Sequence, residues 1–295
     1  MIEKGITVVG STTIDKIIHR NFSRLKIGGV TTYSGITYSR HGIKTWVVTN
    51  VASRDREIIK RLEQESIVVC NGQTEITTYF SNQLKDGDEK RRQNILQQAA
   101  PINRRQLIEN LKDTGFVHLG PLHPSDIDSR AIELIDRLER FVILDVQGLV
   151  RTAKNKIVYP AVSEHLAAAM QISRIVKANR QEYESLIDFF RMDLTELIHH
   201  LKIDEFVVTS GHKGGFVQTM SGKKIPYSAA GVNSDGDPTG TGDVFLAAYV
   251  IGRFLNHRSI ADACKYAAKL AALQIEGTYI KPDDLSLEDW KEHYF

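Results

Sequence analysis

Near the carboxyl-terminal end of the chain, the stretch GVNSDGDPTGTGDVFLAAYVIGRF (231–254) sets Gly240, Thr241 and Gly242 directly before Asp243, and Asp243 directly before an apolar segment. Asp237 and Pro238 begin a turn, and Gly-Thr-Gly then lets the backbone come close to a ligand. From Val244 onward apolar residues fall on nearly every face, which predicts a buried helix. The amides of Thr241, Gly242 and Asp243 would be unpaired donors at its N-terminus, and with the helix dipole they make a site for negative charge. Phosphoryl transfer needs such a site, because charge develops on the moving phosphoryl oxygens. Asp243 stands where it can take a proton from a substrate hydroxyl. An acid at this place also suits a helix cap, and the short pattern alone fits that plainer role better.

These residues need a frame to hold them. The short apolar runs ITVVG, TWVVTNVA, FVHLG, FVILDV, RIVKAN and FVVTSG recur along the chain, rich in β-branched residues and without polar alternation. That is the pattern of parallel strands buried on both faces. Helical patterns lie between them. DREIIKRLEQES opens with Asp55 as a cap and sets Ile58, Ile59 and Leu62 on one face; SDIDSRAIELIDRLER spaces Ile132, Leu134, Ile135 and Leu138 in helical fashion. Alternating elements imply an α/β fold with a doubly wound, mostly parallel sheet, in one domain spanning 1–295. Two regions break the alternation. Residues 14–29 read as strand, turn, strand, and 74–100 as two strands joined by a polar turn from Lys85 to Lys90. Together they are expected to form a small antiparallel sheet, placed as a lid over a ligand site.

Composition narrows the class. A formal net charge of +2 and a pI near 8.4 give no reason to expect a nucleic-acid partner. Two cysteines, Cys70 and Cys264, make no disulfide framework, and Cys264 reads as a buried small residue. No apolar run is long enough to cross a bilayer, and the opening MIEKGITVVG reads as a strand rather than a signal peptide, so a cytoplasmic protein is expected. His118, His123 and His212 lack metal-ligand spacing. There is no G-x-x-x-x-G-K-[ST] loop and no G-x-G-x-x-G after the first strand, which excludes a P-loop kinase and argues against a dinucleotide-binding dehydrogenase.

DPTGTGDVF resembles the C-terminal signature of the PfkB/ribokinase family of carbohydrate kinases, D-T-x-G-A-G-D, with Pro238 and Thr241 where Thr and Ala are usual. The resemblance implies that Asp243 is the catalytic base, that Gly240, Thr241 and Gly242 form the anion hole, and that Asp237 helps to hold a monovalent cation such as K+. It extends over nearly the whole chain. KIGGVTTYSGITYSRHGIKTWVVTNVASRD resembles the N-terminal signature, giving Gly28 and Gly29 as hinge and substrate glycines, with Tyr33 in place of an expected Asn. GSTTIDKI resembles the segment whose acid binds substrate hydroxyls, here Asp15. KANRQEYESL resembles the N-x-x-E motif, implying that Asn179 and Glu182 order Mg2+ and the phosphates; read without the family, the same pair suits a helix cap. VVTSGHKGGFV resembles the nucleotide-side loop, implying ATP contacts from Thr209, Gly211 and Gly214.

In VILDVQGLVR, Asp145, Gln147 and Arg151 replace the common D-x-N, which looks like the inositol (cyclitol) kinase branch. The expected acceptor is therefore myo-inositol or a related polyol, phosphorylated with ATP and Mg2+. A sugar or nucleoside acceptor, with Tyr33 or Phe80 as a stacking surface, and a catalytically silent sugar sensor remain open. The chain would act as a monomer or as a homodimer through the lid.

Overall fold

Every apolar run picked out above becomes a strand of one large sheet. The computed structural model describes residues 5–19, 22–84, 92–111, 114–233 and 236–287. The Lys85 to Lys90 turn lies outside the described residues. Along the chain the elements are β1 (Ile6–Gly10), β2 (Thr13–His19), β3 (Phe22–Gly28), α1 (Val30–Arg40), β4 (Thr45–Thr49), α2 (Arg56–Gln64), β5 (Ile67–Asn71), β6 (Thr78–Leu84), β7 (Arg92–Gln97), α3 (Arg104–Asn110), β8 (Phe116–Gly120), α4 (Ser129–Arg137) and β9 (Phe141–Asp145). They continue as β10 (Arg151–Lys154), β11 (Ile157–Pro160), α5 (Leu166–Gln171), β12 (Ile175–Asn179), α6 (Arg180–Phe190), α7 (Leu194–Leu201), β13 (Glu205–Thr209), β14 (Gly215–Thr219), β15 (Lys224–Tyr227), α8 (Thr241–Val250) and α9 (Ile260–Ile275).

The nine-stranded sheet has the order β15-β14-β13-β12-β9-β8-β1-β4-β5. Neighbours from β5 across to β13 are parallel, and β14 and β15 extend that edge antiparallel. Helices cover both faces. On β1, Val8 packs with α1, α8 and α9 on one side, while Val9 packs with α3 and α4 on the other. Successive side chains of a strand point to opposite faces, so a strand covered on both sides must be apolar throughout. α8 is deeply enclosed, with every residue from Val244 to Val250 buried. Fully burying each large apolar side chain contributes roughly 1.5–3 kcal/mol, so this helix and its N-terminus are rigidly placed. Cys264 is buried in α9, and both cysteines are free thiols.

Asp55 precedes α2, but its carboxylate does not cap the helix; it accepts a hydrogen bond from the Thr77 hydroxyl. α4 is capped instead by Asp128, whose carboxylate accepts from the Arg130 amide at 2.8 Å.

A second sheet has six strands in the order β10-β11-β7-β6-β2-β3. It is mixed rather than antiparallel, because β2 and β6 pair in parallel. Each of these two strands follows a strand of the parallel sheet, β1 and β5, and so leaves it in the same sense. The β10–β11 hairpin joins β7 through Ile157 and Asn94. That hairpin was not anticipated, because RTAKNKIVYP is short and charged, with Ile157 and Tyr159 exposed. Among the described residues no helix is long and apolar enough to cross a membrane.

Candidate active site

Strands β9, β12 and β13 end side by side at Asp145, Asn179 and Thr209. Open α/β sheets bind ligands at the carboxyl ends of their strands. A cleft of about 300 Å³ opens there, lined by Asp15, Gly29, Gln147, Arg151, Asn179, Thr209, Gly240, Gly242 and Asp243. Residues remote in sequence thus meet in one cavity. Tyr33, Phe80, Gln93, Lys177 and Thr239 also line it.

Asp243 is the third residue of α8, and the cap position belongs to Gly240, so Asp243 is not the N-cap. Gly240 has φ of 80°, a backbone state that side-chain-bearing residues rarely adopt, and a Cβ there would strike the Tyr33 ring. The anion hole differs from the expected one at Thr241. Its amide donates to the Pro238 carbonyl at 3.2 Å, as does its hydroxyl, and it faces a neighbouring cavity rather than the cleft. The turn that starts the helix consumes this donor, so the Thr241 amide is not offered to the cleft.

A residue not anticipated stands opposite the start of α8. A Cβ on Gly242 would lie 3.2 Å from Lys177 Nζ. Lys177 is buried on β12 and donates to Asp145 Oδ2 at 2.8 Å. Burial alone would drive this ammonium down, but Asp145, Glu182 and Asp243 outweigh it and hold it above its ordinary value. It therefore carries full positive charge to the N-terminus of α8. The signal was a lysine set between Val176 and Ala178 inside the strand run RIVKAN. Asp145 also accepts from the Gln147 amide at 3.1 Å, which fixes the turn that presents Gln147.

Asn179 and Glu182 form a reciprocal capping box on α6: Asn179 Oδ1 accepts from the Glu182 amide at 3.0 Å, and Glu182 Oε2 accepts from the Asn179 amide at 2.7 Å. The plainer reading of this pair is therefore realised in the structure. Glu182 faces an adjoining cleft of about 610 Å³, which shares Gln93, Gln147, Arg151 and Asn179 with the first. Burial raises the Glu182 carboxyl against the pull of Lys177. Among the described residues no cluster of three or more His, Cys, Asp or Glu could hold a metal unaided.

Asp15 lies on β2 of the second sheet, buried, and accepts from Thr13 Oγ1 at 2.8 Å. A Cβ on Gly28 would fall 2.4 Å from its carboxylate, so glycine is required for that close approach. Arg151 belongs to the second sheet and not to the main one, since the chain enters β10 directly after Gln147–Leu149. It donates to the Leu122 carbonyl at 2.7 Å and to Gln93 at 2.8 Å, and its guanidinium covers Phe80 at 5.5 Å. The buried hydroxyl of Tyr33, in the cleft lining, finds no partner among the described residues. A ligand group that hydrogen-bonds there would satisfy it.

Asp237 is not available to a monovalent cation. Its Oδ2 is paired with Lys26 Nζ at 2.5 Å and approached by Arg24 at 3.4 Å, while its Oδ1 accepts from the Thr239 amide at 2.9 Å. The side chains present already supply the positive charge that such an ion would bring.

Gly211 and Gly214 line a third cavity, about 520 Å³ and mostly apolar, with Tyr227, Val232, Phe245 and Ile275. It shares Thr209, Pro238 and Gly242 with the first cleft, so the two meet at the start of α8.

Known proteins share this sequence pattern and this fold. The pfkB family of carbohydrate kinases matches residues 7–282. A pyrophosphate-dependent kinase in the ribokinase family, solved with a pyrophosphate analog and myo-inositol, is similar with a TM-score of 0.80 and 23% identity over 97% of this chain and 99% of that one. Ribokinase from Thermotoga maritima gives a TM-score of 0.73 and 18% identity over 98% of both chains. The nucleoside kinase of Methanocaldococcus jannaschii gives 0.72 and 18%, over 98% of this chain and 96% of that one. Comparison with curated proteins finds no match.

Proposed function

Since the chain belongs to the pfkB family of carbohydrate kinases, we propose that this phosphotransferase moves the γ-phosphoryl group of ATP to a hydroxyl of myo-inositol or a related cyclitol. The observation that carries the reading is the shared cleft. Asp243, Asp15 and Gln147 face one small polar cavity at the N-terminus of α8, with Lys177 beside it.

The acceptor lies in that cleft, held by Asp15 through its hydroxyls, with Gln147 and Arg151 on the far side. Asp243 takes the proton as the acceptor oxygen attacks. The first-turn amides of α8 and the Lys177 ammonium stabilise the charge on the moving phosphoryl oxygens. Asn179 and Glu182 would hold Mg2+ through water beside the donor phosphates, where the ion supplies charge neutralisation. The second sheet serves as a lid that excludes water from the reaction.

Two features favour a cyclitol over a nucleoside. Phe80 is covered by the Arg151 guanidinium and the Tyr33 ring packs on Gly240, so neither offers a bare face for a base. The unpartnered Tyr33 hydroxyl suits a ligand that brings hydroxyls into the cleft. The apolar cavity abutting the α8 N-terminus favours a nucleotide over pyrophosphate, since pyrophosphate has no group to fill it. The test is a turnover assay with Mg2+ and ATP against a panel of cyclitols, sugars and nucleosides. Highest kcat/KM for a cyclitol supports the reading. Highest kcat/KM for a ribose sugar or a nucleoside sinks the acceptor assignment.

A further inference from the structure

The carboxylate of Asp237 sits in the loop that leads into α8, and the charge opposite it comes from another part of the fold. Lys26 lies on β3 of the second sheet, with its side chain only 6% exposed. Its Nζ reaches Asp237 Oδ2 at 2.5 Å, while the more exposed Arg24 approaches the same oxygen at 3.4 Å. The other carboxylate oxygen receives the Thr239 amide, one residue before Gly240. Lys26 Nζ also lies 5.8 Å from the centre of the Tyr33 ring, the ring on which Gly240 rests. Across the β2–β3 ladder Lys26 is paired with Asp15. One ammonium thus touches the loop that shapes the α8 N-terminus and adjoins the strand that carries Asp15.

A carboxylate taken out of water needs a counter-charge. A dissolved cation can supply it, at a cost in ordering and with a dependence on concentration; a tethered ammonium supplies it permanently. We propose that Lys26 is the built-in counter-ion of the 237–240 loop, and that the protein works without a bound monovalent cation. Lys26 is a positioning residue: it acts through Asp237 on the backbone of Thr239 and Gly240. Burial would raise the Asp237 carboxyl, but pairing with Lys26 and hydrogen bonds from Thr239 outweigh it and hold it below the usual range, so the carboxylate stays ionised at neutral pH.

The rate arm of the test rests on the proposed kinase function; a second arm does not. Turnover is measured at equal ionic strength in potassium, sodium and tetramethylammonium chloride. The natural protein is expected to run at one rate in all three. Lys26→Met, which keeps the apolar stem and removes the charge, is expected to slow in tetramethylammonium and to regain rate in potassium. Lys26→Arg keeps the charge and is expected to stay indifferent to the salt. In the second arm, hydrogen exchange across residues 236–243 is followed without substrate. The expected result is no salt effect in the natural protein, faster exchange in Lys26→Met, and slowing of that exchange by potassium. Potassium activation or protection of the natural protein would overturn the proposal, as would a Lys26→Met variant equal to it in rate and exchange. Absence of turnover with every acceptor would strike the kinase reading alone, because the exchange arm still decides the role of Lys26.

Discussion

At the scale of single residues, Asp243 and Lys177 carry opposite charges to the same place. Asp243→Asn keeps the shape of the helix terminus but cannot take a proton. We expect turnover to fall by about 10²-fold or more with ATP binding kept, measured by steady-state kinetics beside a binding titration; near-normal turnover would remove Asp243 from the role. Glu182 gives a pH-dependent test. Burial raises its carboxyl above the ordinary carboxylate range, so it gains a proton at a higher pH than an exposed acid would. Only the ionised form holds magnesium, so the Mg2+ concentration for half-maximal rate should climb as pH falls from neutral into the acid range. Glu182→Gln should need more Mg2+ at every pH and lose that climb. An unchanged Mg2+ dependence would show that the carboxylate serves the helix cap alone. The position of Asp243 at the start of a buried helix was legible in the sequence because its setting is local: small residues before it, an apolar helix after it. Lys177 was not, since its meaning depends on Asp145, 32 residues away, and on Gly242, which only the fold brings near.

At the scale of elements, the second sheet is the part that the sequence showed least completely. β3, β6 and β7 fall within the two segments marked from sequence and β2 starts one residue before the first, yet β10 and β11 carry charges and exposed side chains that give no strand signal. If this sheet closes on the acceptor, hydrogen exchange in β6 and β7 should slow with myo-inositol and an ATP analogue together. Asp15→Ala should abolish that protection, since a hydrogen bond to a charged group contributes about 1.5–3 kcal/mol; protection that survives the substitution would remove Asp15 from acceptor binding. A second element-scale test concerns the seam between β8 and α1. His118 is buried, bonded through Nδ1 to the Tyr38 hydroxyl at 3.0 Å, and burial pushes its pKa down from 6.5 to about 4. Because the folded value is depressed, the unfolded chain binds the extra proton first. Stability is therefore fully present above about pH 6.5 and is lost as pH falls toward 4, by roughly 3 kcal/mol from this group. Thermal melts over that range should show the slope, and His118→Gln should flatten it.

At the scale of the whole molecule, one arrangement joins donor and acceptor. The parallel order of the large sheet brings the ends of β9, β12 and β13 together, and α8 enters between a small polar cleft and an apolar cavity. The sheet was legible because strands covered on both faces must be continuously apolar, a pattern that survives in single segments such as Val8 and Val9. The cavities were not, because no segment contains one: Tyr227, Phe245 and Ile275 meet only after the chain has folded. The measurement that bears most directly on the function is phosphorus NMR of the protein with Mg2+ and myo-inositol, given ATP in one tube and pyrophosphate in another. ADP and an inositol monophosphate are expected to appear one for one with ATP, with little reaction with pyrophosphate. Ester formed from pyrophosphate but not from ATP, or ADP released with inorganic phosphate and no ester, would contradict this function.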